Sequence, residues 1–321
     1  MNAVKNRFDC LVIGDVMFDI FLGHCGDTVT FLKGGTSYLD FAEIGLGGAG
    51  NVAEGLSHLG ARSCFIGKAG NDTWGKLYRK DLRAKGVTTK MFFEENDSTG
   101  LTLVSLGEKG ERSFFVFRGA NDKLSSEEVD MSINLLKNST YLYFSGYSLV
   151  ANPQKNAILH AVDLAKKHGI KVIFDPGAYN LIESDFDQFN DLLNACDIFC
   201  SNLDEAKAIT KSDSLRAAVL KLQKREKLAT LKCGAGGCFM ISPESCLRIP
   251  GLKVHSRDTT GAGDAFAAAL GFGLINHMPL RSIGQFANWF AAQKIARIGA
   301  RNFPSKIEIE NFLRKPNIKE A

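Results

Sequence analysis

The sequence offers few staples and no long apolar run. Eight cysteines are present among 321 residues, but no two form a CxxC pair. With no zinc-like spacing either, a metal-finger or disulfide scaffold is excluded. Most of them, such as Cys10 before LVIG and Cys64 before FIG, stand in apolar strand-like runs. That is the setting of buried free thiols in a reducing compartment. No apolar run approaches the roughly 20 residues of a membrane-spanning helix. The N-terminal MNAVKNRFDCLVIGDV is too polar for a signal peptide, so a cytoplasmic location is expected and the sequons at Asn71 and Asn138 carry little weight. Charge of one sign is lacking as well: 39 Lys and Arg stand against 35 Asp and Glu, for a net charge of +4. The densest basic run, 221-KLQKREK-227, reads as the solvated face of a helix. Neither nucleic acid nor a membrane is an expected partner. There is no internal repeat and no low-complexity segment.

Alternation of element types is what the chain does have. Short apolar runs at 9-DCLVIG-14, 63-SCFIG-67, 141-YLYFSG-146, 171-KVIFDPG-177 and 197-DIFCSN-202 read as buried strands. Helical spacing separates them at 50–60, 73–86, about 153–168 and about 184–194, with Gly60 and Gly86 as stop signals. Strand, helix, strand, helix predicts α/β architecture: a doubly wound, mainly parallel sheet with helices on both faces. Ligands of such sheets bind beyond the carboxyl ends of the strands, where Asp15, Asp175 and Asn202 fall. Two hairpin-like strands are expected after 228–242, then helices to about 277 and over about 280–298. Residues 17–44 and 90–118 break the rhythm with β-branched and aromatic runs, among them 28-TVTFL-32, 101-LTLVSLG-107 and 113-SFFVFR-118 around a turn at GEKGE, 107–111. They predict a small antiparallel β lid over the crevice, within a single domain over 1–321. A lid suits a reaction that must exclude water; an ordinary sheet extension or a dimer surface is the plainer alternative.

Two glycine patterns are decoys. The run 45-GLGGAG-50 fits G-x-G-x-x-G, but the first strand ends some thirty residues earlier and no acid stands about twenty residues beyond it. The run 70-GNDTWGK-76 begins like a P-loop, yet Leu77 replaces the required Ser or Thr and Lys76 falls inside a helix. Gly47, Gly48 and Gly50 retain a use: they let a ligand approach the backbone, and Asn51 then offers a donor and an acceptor to hydroxyls. A simple turn with a helix cap is the alternative.

The decisive stretch is 257-RDTTGAGDAFAAALGFGL-274. Gly261, Ala262 and Gly263 at a helix start can present N–H groups to an anion. Asp264, beside that cradle, makes sense as the proton acceptor for an incoming hydroxyl during phosphoryl transfer. Here DTTGAGDAFAAAL resembles the C-terminal signature of the ribokinase-like (PfkB) carbohydrate kinase family, and 47-GGAGN-51 resembles its N-terminal signature. The resemblance spans nearly the whole chain with the parts in the family's order.

The resemblance implies ATP as phosphoryl donor, Mg2+, and a fold with a small β lid. It implies Asp264 as general base with the turn of Gly261, Ala262 and Gly263 as anion hole. Asp15 and Asp19 in GDVMFD, with Gly47, Gly48 and Asn51, resemble the sugar contacts. Asn202 and Glu205 match an N-x-x-E that serves magnesium, through water, and phosphate; a helix cap is their plainer reading. Lys232 and Gly234 fall where the nucleotide phosphates pass, although Lys232 departs from the commoner Thr or Leu there. Asn288 lies where the adenine pocket closes, or is a surface amide. Asp258 and Thr260 match positions that hold a monovalent cation in several members, and dependence on K+ is left open. Arg118 either meets an acidic or phosphorylated substrate or anchors the lid to the core. Trp74 and Trp289 read as packing residues.

The acceptor expected is a small sugar or sugar acid of ribose, fructose or ketodeoxygluconate type. A nucleoside kinase of adenosine, cytidine or inosine type would use lid aromatics such as Phe18, Phe31, Phe115 and Phe117 to stack a base. A heptose-phosphate or other sugar-phosphate kinase would need more basic residues than Arg118 and Lys33. A non-catalytic ligand-binding relative would have lost the base or the cradle, and both are present. By analogy with the family, a homodimer through the lid is expected.

Overall fold

The structure, a computed structural model, describes residues 8–23, 36, 38–106 and 112–315. The strand expected at 28–32, the turn at 107–111, and Cys25, Phe31 and Lys33 lie outside the described residues.

Among the described residues, thirteen strands fall into two sheets. They are β1 (Phe8–Ile13), β2 (Val16–Gly23), β3 (Phe41–Gly48), β4 (Ser63–Gly70), β5 (Thr88–Glu94), β6 (Gly100–Leu106), β7 (Arg112–Phe117), β8 (Ser139–Ser145), β9 (Lys171–Asp175), β10 (Ile198–Asn202), β11 (Leu228–Lys232), β12 (Cys238–Ile241) and β13 (Cys246–Ile249). The large sheet has nine strands in the order β13-β12-β11-β10-β9-β8-β1-β4-β5. It is parallel from β11 to β5 and antiparallel at β12 and β13.

Its central strands are apolar on both faces because both faces are covered. Successive side chains of a strand point to opposite sides, so Cys10 and Val12 enter one core while Leu11 and Ile13 enter the other. The first core is closed by helices Gly50–His58, Ala262–Ile275 and Leu280–Ile295 through Val52, Leu56, Leu270, Phe286 and Phe290. The second is closed by helix Gln154–Lys167 and the helices that follow, through Ile158, Ala161, Phe189 and Leu222. This is the doubly wound, ribokinase-like arrangement. It leaves the carboxyl ends of the parallel strands as the open edge.

Among the described residues, the second sheet has four strands, in the order β3-β2-β6-β7. β2 pairs in parallel with β6, and its other neighbour β3 runs antiparallel. Three boundaries differ from the sequence reading. Of the two strands expected after 228–242, only β13 follows, since β11 and β12 lie inside that stretch. Residues 90–94, placed in the second insertion, belong to β5 at the edge of the large sheet, where Lys90 pairs with Ile66. β3 runs on to Gly48 rather than ending at 44, which carries the sheet directly into the helix that begins at Gly50. A closing helix, Lys306–Leu313, was not expected from the sequence.

Candidate active site

Helix Ala262–Ile275 starts without a side-chain cap. Its N-cap, Gly261, has φ of 73°, and a Cβ there would stand 2.6 Å from the carbonyl oxygen of Ala300. Only glycine fits both demands. The first N–H groups of any helix lack an intrahelical acceptor. Ala262 N–H is spent on Thr259 O at 3.2 Å, which narrows the expected cradle to the flanking Gly261 and Gly263. A Cβ on Gly263 would lie 3.7 Å from Lys232 Nζ, so an ammonium group borders the same spot.

Asp264 follows in the first turn. One carboxylate oxygen accepts from Asn51 Nδ2 at 2.8 Å. Asn51 Oδ1 in turn accepts from Arg301 Nε at 2.6 Å. The guanidinium thereby fixes which way the amide faces. Arg301 also reaches Glu54 Oε2 at 3.2 Å, Asp81 Oδ2 at 3.3 Å and Gly47 O at 3.3 Å, and lies over the Tyr78 ring. Burial raises the Asp264 carboxyl above its ordinary range; Asn51 opposes the shift, Asp175 adds to it, and Lys232 and Arg301 oppose it. A carboxylate with a raised proton affinity is a better base.

Asp19 stands on β2, opposite Gly45 of β3 and Thr102 of β6. A Cβ on Gly47 would lie 2.2 Å from Asp19 Oδ2, so the carboxylate occupies the space that this glycine leaves open. Gly48 has φ of 69° and closes on Asp15 O. Burial pushes the Asp19 carboxyl up to about 6, with Thr102 opposing and the charge of Asp264 adding. The sign follows from linkage: a folded-state pKa above the ordinary value means stability falls as pH rises between 3.8 and about 6. Asp19→Asn is therefore expected to be more stable than the parent at pH 8, by about 2–3 kcal/mol, with the difference vanishing near pH 4. Chemical denaturation at the two pH values checks this.

Asp15, expected to contact the acceptor, and Arg118, expected to do so or to anchor the lid, are bonded to each other. Asp15 accepts from Arg118 Nη1 at 3.0 Å and Nη2 at 3.2 Å, from Ser148 Oγ at 3.1 Å and from Gln154 Nε2 at 2.7 Å. Arg118 Nε is further held by Asp122 at 2.5 Å. The pair ties the end of β7 to the end of β1. The anchoring alternative for Arg118 is the one with geometric support, and Asp15 is engaged by the same cluster of donors.

On the other side of Asp264 lies a cavity of about 820 Å³. Lys232, at the end of β11, points into it and donates to Asp175 Oδ2 at 2.8 Å. Glu205 and Asn202 line it too, and they form a reciprocal helix cap: Glu205 N–H donates to Asn202 Oδ1 at 2.9 Å, and Asn202 N–H to Glu205 Oε2 at 2.8 Å. Cap and cavity wall coexist in the same residues. Burial raises the Glu205 carboxyl, Asp175 adds to the rise and Lys232 opposes it. The far end is walled by Gly234, Leu252, Val254, Asn288 and Ala292. Asn288 is not a free surface amide, since it donates to Pro250 O at 3.2 Å and fixes its helix to the end of β13.

Asp258 accepts from Thr260 N at 2.8 Å and Gly299 N at 2.8 Å. Burial opposes ionisation there, but these donors and Lys294 outweigh it and hold the carboxyl below the usual range. Of the aromatics offered for base stacking, Phe18 is buried against Trp74, with ring centroids 4.5 Å apart, while Phe115 and Phe117 are half-exposed. Trp289 packs on Phe312. Sequence reasoning missed Arg301, Lys294 and the role of Asp175; of these, only Asp175 carried a signal, its place at a strand end.

Among the described residues, no group of three or more His, Cys, Asp or Glu is placed to hold a metal, and no helix is long and apolar enough to cross a membrane. The fold is the ribokinase-like one. A family model described as "pfkB family carbohydrate kinase" matches residues 8–307, and the chain belongs to that family, as an ATP-dependent sugar kinase. It is 31% identical to fructokinase-1 of Zea mays over 231 residues, 70% of this chain and 72% of that one. It is 28% identical to the ribokinase of Mus musculus over 280 residues, 83% of each chain. Among solved structures, it resembles adenosine kinase from Sinorhizobium meliloti, with a TM-score of 0.85, 27% identity, and coverage of 95% of this chain and 99% of that one. A structure from E. coli solved with ATP and Mg2+ shares the fold at a TM-score of 0.84 and 22% identity, covering 96% of this chain and 99% of that one.

Proposed function

We propose that this chain moves the γ-phosphoryl group of ATP to a hydroxyl of a small sugar, with fructose or ribose as the first candidates, and that Asp264 is the general base. The observation that carries the reading is the Asn51–Asp264 hydrogen bond of 2.8 Å. It holds one carboxylate at the junction of the nucleotide cavity and the Asp19 side, so a hydroxyl bound near Asp19 reaches base and phosphate together. The acceptor oxygen attacks phosphorus as its proton passes to Asp264, and ADP leaves. Negative charge on the transferring group meets the N–H groups of Gly261 and Gly263 and the ammonium of Lys232. Asp19 holds acceptor hydroxyls. Asn288 and Ala292 wall the adenine end.

Magnesium suits the carboxylates present. Glu205 and Asp175 border the phosphate path, and Mg2+ is commonly held by one or two carboxylates plus substrate phosphates rather than by an all-protein cage. When bound with ATP it neutralises phosphate charge. Glu205→Gln is expected to weaken MgATP binding at least ~10-fold while leaving the melting temperature nearly unchanged, since Gln also serves in the cap. Calorimetric titration with MgATP and with ATP alone separates the two effects.

Two further parts belong to the proposal. Phe114, Phe115, Val116 and Phe117 on β7, with Ile44 on β3, are all about half exposed. That apolar band on the second sheet suits a lid that a second copy of the chain covers, and a monomeric mass in solution would remove this part. Buried free thiols at Cys10, Cys64 and Cys200 suit a cytoplasmic setting.

The acceptor is found by measuring ADP release from MgATP across ribose, fructose, ketodeoxygluconate, sugar phosphates and nucleosides. A sugar that stands out supports the reading, and a nucleoside that stands out replaces it with the adenosine-kinase type. Silence across the panel with MgATP still bound removes the proposed acceptor class.

A further inference from the structure

Lys294 has 0% of its surface exposed, a rare setting for a lysine. It stands near the end of helix Leu280–Ile295, and Nζ donates to the backbone oxygen of Asp258 at 2.8 Å and lies 3.7 Å from its carboxylate. The surrounding backbone is laced around that ammonium. Arg257 N and Asp258 N both donate to Ile295 O, at 2.8 Å and 3.1 Å, and the Asp258 carboxylate accepts from Thr260 N and Gly299 N. The next residues on the two sides are Gly261, where an added Cβ would run into Ala300, and Arg301, which orients Asn51 toward Asp264.

The Asp258–Thr260 turn is the one matched above to a monovalent-cation position. A backbone oxygen and a carboxylate are the hard oxygen donors an alkali ion takes. Here a fixed positive charge already meets them, and a second cation at the same oxygens would be repelled by it at short range. The residues present therefore do not fit a potassium ion.

We propose that Lys294 is a tethered cation that replaces a monovalent ion behind the anion-binding turn, so that this chain works without potassium. Lys294 is a positioning residue: it touches neither nucleotide nor acceptor, and acts by holding residues 257–261 against 295–301. The turnover arm of the test rests on the proposed kinase function; the other arms do not.

The wild-type protein is compared in KCl, NaCl and choline chloride at equal ionic strength, by melting temperature, by calorimetric titration with MgATP, and by ADP release with fructose. Expected is no potassium-specific change: melting within ~1 °C and MgATP affinity within ~2-fold. Lys294→Ala, which opens the site, is expected to melt about 5 °C or more lower, to lose kcat more than it raises KM, and to recover on all three measures with KCl or NH4Cl but not with choline. Lys294→Met, which keeps the bulk without the charge, is expected to stay unrescued. A potassium-specific gain in the wild-type protein overturns the proposal, as does a folded Lys294→Ala that ignores KCl and NH4Cl, or a Lys294→Met rescued equally well. If Lys294→Ala does not fold, the wild-type comparison alone decides. If no acceptor turns over, the proposed acceptor class falls, while melting and MgATP titration still test the tethered cation.

Discussion

An Asp264→Asn enzyme is expected to bind MgATP as tightly as the parent, or slightly more tightly, and to lose kcat by ~10²–10⁴-fold. The two halves of this prediction have separate causes. Asparagine keeps the size of the side chain and can still accept from Asn51 Nδ2, so the 2.8 Å link to the glycine loop survives. It also removes a negative charge beside the phosphate path, which cannot harm the binding of an anion. What it cannot do is take a proton. Stability should hold or rise, because the parent carboxylate is held above its ordinary proton affinity by burial. Steady-state kinetics give the kcat loss, calorimetry gives the retained affinity, and a variant that still turns over normally would remove Asp264 from the role of base.

Arg301→Met is the second large effect, and it should fall on stability as well as rate. The guanidinium serves Asn51, Glu54, Asp81 and Gly47 together. Glu54 is 4% exposed, and Lys85 Nζ stays 3.9 Å away, so removing Arg301 strips the buried carboxylate of its close partner. Breaking such a buried pair costs about 3–5 kcal/mol, which should lower the melting temperature by roughly 5–15 °C. The rate should fall too, at least ~10-fold at temperatures where the variant is folded, because Asn51 is no longer held with its donor toward Asp264. Arg301→Lys should restore little, since a single ammonium cannot span four acceptors spread around a planar fork. The contrast with Asp264→Asn is diagnostic: one variant is stable and inactive, the other unstable and slow. An Arg301→Met protein with the parent's melting temperature and kcat would break the link drawn between the closing loop and the base.

These effects also mark where sequence reasoning reached its limit. Strand ends were legible because runs such as LVIG and KVIFD are short, apolar throughout and bounded by Gly, Asp or Pro. A strand buried on both faces leaves that trace. The DTTGAGD turn was legible because the chemistry of an uncapped helix start is local: glycine conformation, cradle and acid lie within a few residues. Contacts between distant segments left no such trace. Arg301 reaches Asn51 across 250 residues and Arg118 reaches Asp15 across 103. Nothing local to either arginine names its partner, so sequence reasoning misses the first and leaves the second open between substrate and lid anchor. Lys294 sits in a helix whose apolar spacing would place any side chain there in the core; its charge gave no hint of the oxygens that would receive it. The edge strand β5 was assigned to the lid because its residues alternate like a lid strand, and only pairing with β4 distinguishes the two.

The proposed transfer of a phosphoryl group from ATP to a sugar hydroxyl at Asp264 is tested most directly by mass-spectrometric analysis of both products over time, with MgATP and fructose, or whichever sugar leads the acceptor panel, for the parent and Asp264→Asn. Expected are ADP and a sugar monophosphate in equal amounts from the parent, and formation of both slowed by ~10²–10⁴-fold in the variant. ADP and inorganic phosphate without phosphosugar, or phosphosugar formed equally fast by both proteins, would contradict it.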